Sequence, residues 1–399
     1  MSRPVRLGPG LIVTAAFIGP GTVTTATLAG AGYGAALLWC LGFATVATIV
    51  LQEMSARLGL ATGGGLGRAL HQIPGPSWAG PALAGLAVGA VVLGAAAYEA
   101  GNLTGAGLGL SAALGLSPKT LALIGAGVAG ALLWTGRYRI VERVLVGCVA
   151  VMGITFLLTA VLVLPRVDGV LAGLLVPRLP DGAELTALGL VGTTIVPYNL
   201  FLHAAIVSER WGGPGDLTAA RWDLVLAIAL GGVVSAAIVI TAAGALGGQE
   251  IRSAAAMAAQ LEPLLGRWAA RAFSVGFAAA GLSSAITAPL AAAYALQDTV
   301  GRGRDVRVPL ARAVIGSTLA VGVLVTLIGT RPVALILVAQ ALNGLILPIV
   351  AVVLLLAMND RRRLGNQVNG WRANLAGGIV VLLCATLGIR GMVGAFAGP

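Results

Sequence analysis

Charged side chains are scarce in this sequence. Only 10% of its 399 residues are Asp, Glu, Lys or Arg, aromatic residues make up 5%, and His occurs twice. A soluble domain has about 25% charged residues, and a mean hydropathy of +0.97 would leave large apolar patches on the surface of such a domain. The composition therefore excludes a soluble globular protein and predicts a polytopic membrane protein.

Cysteine is equally rare. Cys40, Cys148 and Cys384 are odd in number and far apart in the chain, which excludes a disulfide framework and a zinc site built on closely spaced ligands. The glycine run at Gly63–Arg68 lacks the Lys-Ser/Thr ending of a phosphate-binding Walker loop. With no catalytic motif, we expect neither enzymatic activity nor a cofactor.

Long apolar runs, by contrast, fill the chain. A helix needs about 20 apolar residues to cross a bilayer. We find about eleven such segments, near residues 10–34, 36–56, 80–110, 119–136, 141–164, 185–207, 222–247, 268–297, 309–329, 333–357 and 374–397. The stretches between them are no longer than connectors, so residues 1–399 are predicted to form a single all-α transmembrane domain.

The basic residues behind the net charge of +11 are unevenly distributed between the loops on the two sides of the membrane. If the N-terminus is cytoplasmic, the loops on that side hold 17 of the 25 Lys and Arg residues. The positive-inside rule then predicts an integral protein of the plasma (inner) membrane with the N-terminus in the cytoplasm and, after eleven spans, the C-terminus outside. The positive charge thus reflects orientation in the lipid bilayer, and no nucleic-acid partner is expected.

Two short breaks interrupt the apolar segments: Gly19–Thr22 in the first and Val196–Asn199 in the sixth. Non-helical backbone at membrane depth is tolerated only where it is buried in protein or lines a cavity. Because the breaks lie five segments apart, their segments run in opposite directions. This predicts an inverted repeat of two five-helix halves, approximately residues 8–165 and 185–358, and an extra helix at 374–397.

Motifs along nearly the whole chain resemble the Nramp (natural resistance-associated macrophage protein) family. In chain order they are Leu7-Gly8-Pro9-Gly10, the first break, Leu51 to Gly59, Gly192 to His203, Leu261 to Gly266, Gly281 to Thr287 and Leu347-Pro348. The resemblance implies the LeuT-type fold with helices 1 and 6 unwound at mid-membrane. It also implies a secondary transporter of divalent transition metals, usually coupled to protons.

The chain departs from the family pattern at both breaks. At the first break the family has Asp-Pro-Gly-Asn. In this chain Gly19 stands in the place of the Asp carboxylate, and Thr22 stands in the place of the Asn amide. The family has Met-Pro-His at the second, where Val196 replaces the thioether and Tyr198 the imidazole. A dication at the bilayer centre needs anionic or multiple oxygen ligands, so we expect a divergent member without metal-binding residues.

Half-helices restart after Pro20 and Pro197, and the positive ends of their dipoles face the breaks. This arrangement favours a small anion, such as bicarbonate or a carboxylate, or a polar solute. The predicted substrate-binding residues at the breaks are Gly19, Gly21, Thr22, Thr25, Val196, Tyr198 and Asn199. The resemblance adds Gln52, Gln340 and Asn343, which fall near positions that contact the family's site. The alternatives are structural: threonine hydroxyls that bond back to helical carbonyls, and amides that join helices.

Three further residues are candidates for coupling to an ion such as a proton: Glu99, His203 and Arg312. A carboxyl deep in a span is costly and so indicates function. The resemblance places Glu99 near an acidic family position used in proton movement and puts Asn102 at a second one. Alternatively Glu99 forms a salt bridge with Arg312, and His203 is a hydrogen-bonded packing residue.

The sequence therefore predicts a secondary transporter that works by alternating access on a small ion or small molecule. An anion or polar solute is the main hypothesis for its substrate. A proton-coupled transporter of Mn or Fe-type dications with a degenerate site is the first alternative. A channel-like or non-transporting relative is the second.

Overall fold

The computed structural model describes residues 18–70, 77–136, 138–211, 213–301 and 305–397. Twelve long helices account for most of these residues: α1 (Pro20–Tyr33), α2 (Leu38–Thr62), α3 (Ala79–Leu114), α4 (Pro118–Thr135), α5 (Tyr138–Val163), α6 (Glu184–Thr194), α7 (Pro197–Arg210), α8 (Leu217–Leu246), α9 (Ala269–Thr299), α10 (Pro309–Ile328), α11 (Pro332–Met358) and α12 (Trp371–Ala397). Short helices at Leu66–Leu70, Val170–Leu175, Ala254–Ala258, Glu262–Leu265 and Arg361–Leu364 lie in the connectors.

Ten stretches within the described ranges are long and apolar enough to cross a membrane. They correspond to the second to eleventh predicted segments. The first predicted segment is described only from residue 18 onward, where α1 supplies 14 helical residues, and the Leu7–Gly10 motif lies outside the described residues. The sixth segment is divided into α6 and α7, since Pro197 cannot donate the backbone hydrogen bond that would continue the first of them.

The helices form two groups. Helices α1, α2, α6, α7 and α8 contact one another, and α3, α4, α9 and α10 form a second group in which α3 and α9 share the most extensive interface. Small residues permit that interface: a Cβ on Gly109 would overlap the backbone of Ala278, and one on Gly281 would overlap that of Ala106. Helix α11 lies between the groups and contacts α1, α3 and α6.

Large apolar side chains cover the outer faces of the bundle. Ile140 on α5, Val321 and Leu324 on α10 and Leu382 on α12 are all exposed, as expected for faces that contact lipid tails. The buried core is rich in Ala, Leu and Val.

A polar network closes one end of the bundle. On α2, Glu53 accepts hydrogen bonds from Arg57 at 3.1 Å and from Arg221 on α8 at 2.6 Å. Arg57 also donates to the Asn369 side chain at 2.7 Å and to the Gln367 carbonyl at 2.8 Å. These charge-assisted bonds tie α2 and α8 to the connector between α11 and α12.

Candidate functional site

Both breaks are built on an X-Pro step. Gly19 is extended, with φ −97° and ψ −179°, and α1 begins at Pro20. Val196 is likewise extended, with φ −88° and ψ 115°, before α7 begins at Pro197. Proline suits a first helical position because its fixed φ is helical and it has no N–H to satisfy. Each break therefore presents the positive end of a half-helix, with no side-chain cap on either.

The two breaks lie side by side. The Thr22 and Thr193 hydroxyls, on α1 and α6, are 2.8 Å apart and hydrogen-bonded. The Thr25 methyl group lies beside Gly189, one turn along α6. Thr22 thus bonds across to α6, whereas the buried Thr25 hydroxyl forms no hydrogen bond within the described ranges. The structural alternative, a bond back to a carbonyl of the same helix, is therefore not observed for Thr25.

Gln340 on α11 reaches the centre of the cluster. Its side chain is 0% exposed and fills the space that a Cβ on Gly21 would take, and its Nε2 is 3.5 Å from the Cβ position of Gly101 on α3. Gly192 of α6 lies against the Gln340 carbonyl. Neither amide atom of Gln340 has a hydrogen-bond partner among the described residues, which leaves a donor and an acceptor at the meeting point of four helices.

Tyr98 on α3 joins the second break to α11. Its hydroxyl lies 3.3 Å from both the Gly192 and the Thr193 carbonyls, to which it donates, and Asn343 lies beside it. Its ring packs edge-on against Tyr198 at a centroid distance of 5.7 Å. Tyr98 was not among the residues singled out in the sequence, although it directly precedes Glu99.

Three more predicted residues lie around α2 and α7. On α2, Thr48 donates to the Thr194 carbonyl at 3.3 Å and Ser55 donates to the Leu200 carbonyl. Gln52 lies on the same face of α2 as these two residues and therefore faces the second break. Asn199 lies in the first turn of α7, and His203 one turn further. All three are buried, and each has at least one side-chain polar atom without a partner in the described structure.

Glu99 lies at the edge of the cluster. It is 0% exposed, and one carboxyl oxygen accepts a hydrogen bond from Asn102 at 3.4 Å. The other has no partner among the described residues. On α10 the side chain packs against Gly322.

The proposed Glu99–Arg312 salt bridge is wrong. Arg312 lies ten residues before Gly322 on α10, about 15 Å along the helix, and stacks on the Trp134 ring at 4.5 Å. A cation over an aromatic face is stabilised by the ring quadrupole. Arg312 therefore lies outside the cluster that contains the other predicted residues.

The cluster offers oxygen and amide groups. No set of three or more His, Cys, Asp or Glu side chains is placed to hold a metal ion in the ranges that the structure describes. The donors are hydroxyls of Thr22, Thr193 and Ser284, amides of Gln340 and Asn199, and the carboxyl of Glu99. Thr22, Gln340, Asn199 and Glu99 were weighed in the sequence, but Thr193 and Ser284 were not assigned to the site. The sequence signals for these two are the position of Thr193 just before the second break and that of Ser284 within the Gly281–Thr287 motif.

A cavity of about 470 Å³ opens near the cluster. Leu28 and Leu337 line it, one turn beyond Thr25 on α1 and one turn before Gln340 on α11. Its rim carries Arg331 and the Glu250–Arg252 ion pair, whose atoms are 2.6 Å apart. The hydrogen bond from Arg252 lowers the pKa of Glu250. The cavity, here called the vestibule, thus has one positive charge in excess, and Leu28 and Leu337 lie on its lining on the same helices as the cluster residues.

Comparisons with known proteins agree on the family. The family described as natural resistance-associated macrophage protein-like matches residues 10–394. The divalent metal cation transporter MntH of Klebsiella pneumoniae is 28% identical over 100% of this chain and 96% of its own length. That relative is a transporter, in line with the expectation that this chain is not an enzyme.

Solved structures agree on the fold. A manganese transporter from Eremococcus coleocola is similar with a TM-score of 0.79 at 21% identity, covering 98% of this chain and 87% of that one. The nucleobase-cation-symport-1 family transporter Mhp1 gives 0.63 at 15% identity, covering 98% and 93%. These similarities confirm the predicted all-α, LeuT-type fold with its broken helices. The chain is a membrane transporter and belongs to the Nramp family.

Proposed function

We propose that this chain is a secondary transporter of a hard divalent cation such as Mn²⁺ or Mg²⁺. Its relatives support a divalent cation over the anion of the main sequence hypothesis, since one is named a divalent metal cation transporter and another a manganese transporter. The sequence argument for an anion counted metal ligands only at the breaks. It weighed Gln340, Asn343 and Glu99 for the site but did not count their oxygens as metal ligands. It did not assign Thr193 and Ser284 to the site.

The observation that carries the proposal is the set of buried oxygen donors around Gln340. Amide and hydroxyl oxygens are hard ligands of the kind that Mg²⁺, Ca²⁺ and Mn²⁺ accept, and the Glu99 carboxyl at the edge of the cluster adds a negative charge near them. Thioether and imidazole ligands favour softer transition metals, and Val196 and Tyr198 provide neither. The cluster should therefore discriminate poorly between Mn²⁺ and Mg²⁺.

The fold supports transport by alternating access. The group that contains α1, α6 and α7 meets the α3, α4, α9 and α10 group at the breaks, where Pro20 packs against Gly105. Rocking of one group against the other would expose the cluster to each side in turn. We assign the repeats to residues 8–165 and 185–358, with an extra helix at 374–397, and place the N-terminus in the cytoplasm of a plasma (inner) membrane protein.

Coupling to protons is part of the proposal. Glu99 and His203 are a buried carboxyl and a buried imidazole near the second break, and a proton taken up by either would change the charge of the cluster when a dication leaves. Arg312 is excluded from this role by its distance from Glu99.

Uptake by reconstituted protein tests the proposed function. In proteoliposomes, we expect saturable Mn²⁺ uptake that Mg²⁺ inhibits with an affinity within about tenfold of that of Mn²⁺, because oxygen ligands serve both ions. Bicarbonate and small carboxylates should neither enter nor compete. Saturable carboxylate or bicarbonate uptake without Mn²⁺ uptake would refute the proposal, and ohmic conductance would indicate a channel.

One observation favours an anion as a second candidate. The vestibule carries Arg252 and Arg331 against a single acid, Glu250, and such a charge attracts anions and repels dications. The helix N-termini at the breaks act in the same direction.

The vestibule charge gives a test whose sign depends on the cargo. For a dication, Arg331→Gln should raise subsaturating uptake about two- to fivefold at low ionic strength, because it removes a repulsive charge on the approach. For an anion, uptake should fall by a similar factor. Either effect should shrink at about 0.5 M salt, where screening is strong. Arg166→Gln, an exposed arginine outside the cavity, is the matched control and should change little.

A further inference from the structure

Ser284 on α9 has an unused hydroxyl. The residue is 2% exposed, and its Oγ has no hydrogen-bond partner among the described residues. Other hydroxyls on α9 bond back to the carbonyl four residues earlier: Ser274 to Ala270 at 2.7 Å and Thr287 to Ser283 at 2.9 Å. Such back-bonding is the ordinary use of a hydroxyl in a membrane helix. Ser284 therefore has a donor and an acceptor available for another partner.

The hydroxyl points at the first break. A Cβ built on Gly19 would lie 2.9 Å from Ser284 Oγ, closer than packed atoms normally approach. The Ser284 oxygen therefore sits where a side chain at position 19 would begin. Gly19 also directly precedes the start of α1, so the hydroxyl lies beside the positive end of that helix, two residues from Gly21, which contacts Gln340.

We propose that Ser284 is a specificity-determining ligand of the transported ion. Its hydroxyl contacts the ion from the space that a side chain at position 19 would otherwise occupy. Glycine at position 19 leaves that space open for the hydroxyl. The ion then meets a neutral hydroxyl oxygen at the first break instead of a charged carboxylate, and both are hard ligands of the kind that Mg²⁺ and Mn²⁺ accept. The identity of the ion as a divalent cation rests on the proposed function. The position of the contact at Ser284 does not.

Four variants test the proposal on the full-length protein in detergent and in proteoliposomes. Ser284→Ala should weaken Mn²⁺ and Mg²⁺ binding, measured by calorimetry, about five- to twentyfold. Ser274→Ala is the matched control, equally buried on the same helix with its hydroxyl bonded to its own backbone, and should bind as the unmodified protein does. Thermal unfolding of each variant checks that the fold is retained.

A charge placed at position 19 gives the reciprocal test. Gly19→Asp alone should gain little Mn²⁺ affinity, because its first side-chain atom collides with the Ser284 hydroxyl. Gly19→Asp combined with Ser284→Ala should bind Mn²⁺ at least tenfold more tightly than the unmodified protein and prefer it to Mg²⁺. If Gly19→Asp raised the Mn²⁺ affinity by the same factor with serine or alanine at position 284, the proposal that the Ser284 hydroxyl occupies the side-chain space of position 19 would be overturned.

The outcomes separate the inference from the proposed function. Equal binding and uptake by Ser284→Ala and Ser274→Ala would overturn the inference, whichever ion is carried. If the unmodified protein takes up bicarbonate and no dication, the proposed function fails. A bicarbonate uptake deficit in Ser284→Ala relative to Ser274→Ala would then still support an ion contact at Ser284.

Discussion

A Gly21→Ala variant is expected to lose uptake by about 10- to 150-fold while remaining folded. The added methyl group would occupy the space of the Gln340 side-chain amide, which would have to leave the meeting point of α1, α3, α6 and α11. One hydrogen bond to a charged partner contributes about 1.5–3 kcal/mol, which sets the expected loss of transport. Alanine is a better helix former than glycine by about 1 kcal/mol, so the helix itself is not weakened.

The control is a second glycine on the same helix. Gly32 is exposed, and a Cβ built on it meets no atom within 4 Å, so Gly32→Ala should transport normally. Adding Gln340→Ala to Gly21→Ala should relieve the overlap and raise the thermal unfolding temperature, without restoring uptake. Normal uptake by Gly21→Ala in proteoliposomes would show that the Gln340 amide does not contact the cargo.

The sequence was sufficient to locate both breaks. Prolines at positions 20 and 197 within apolar segments identify points at which a helix must be interrupted, and the structure has helices that begin at those residues. Hydrophobic length likewise gave the later segments to within a few residues, because the bilayer imposes that length on every span. The family resemblance then indicated Gln340 and Asn343, which lie three residues apart and therefore share one face of α11.

The partners of the site residues could not be predicted in the same way. Whether Glu99 meets Arg312 depends on how far α3 and α10 are displaced along their axes, and no local pattern encodes that displacement. Ser284 was not assigned to the site, because its relation to Gly19 arises only when α9 packs against α1. Counting ligands at the breaks alone therefore underestimated the oxygen donors available to a cation.

Glu99→Gln is expected to abolish the transport of a divalent cation. Among the described residues, the other buried acids, Asp298 and Asp360, lie at helix ends, so Glu99 is the carboxyl at mid-membrane. At an effective dielectric constant of about 20, Coulomb's law gives about 3 kcal/mol for a dication and a carboxylate at an illustrative separation of about 10 Å. Losing that attraction should lower Mn²⁺ uptake at least 100-fold, while glutamine keeps the side-chain shape and can still bond to Asn102.

Initial rates of ⁵⁴Mn²⁺ uptake into proteoliposomes, with and without a pH gradient, would measure this effect. Glu262→Gln is the matched control, since Glu262 is exposed in a connector and its charge should not reach the cluster through solvent. If Glu99 also carries the coupling proton, residual uptake by Glu99→Gln should no longer respond to the pH gradient. Unchanged Mn²⁺ uptake would remove Glu99 from the site. A variant that instead carried bicarbonate faster than the unmodified protein would identify an anion as the cargo, because the same carboxylate that attracts a dication repels an anion.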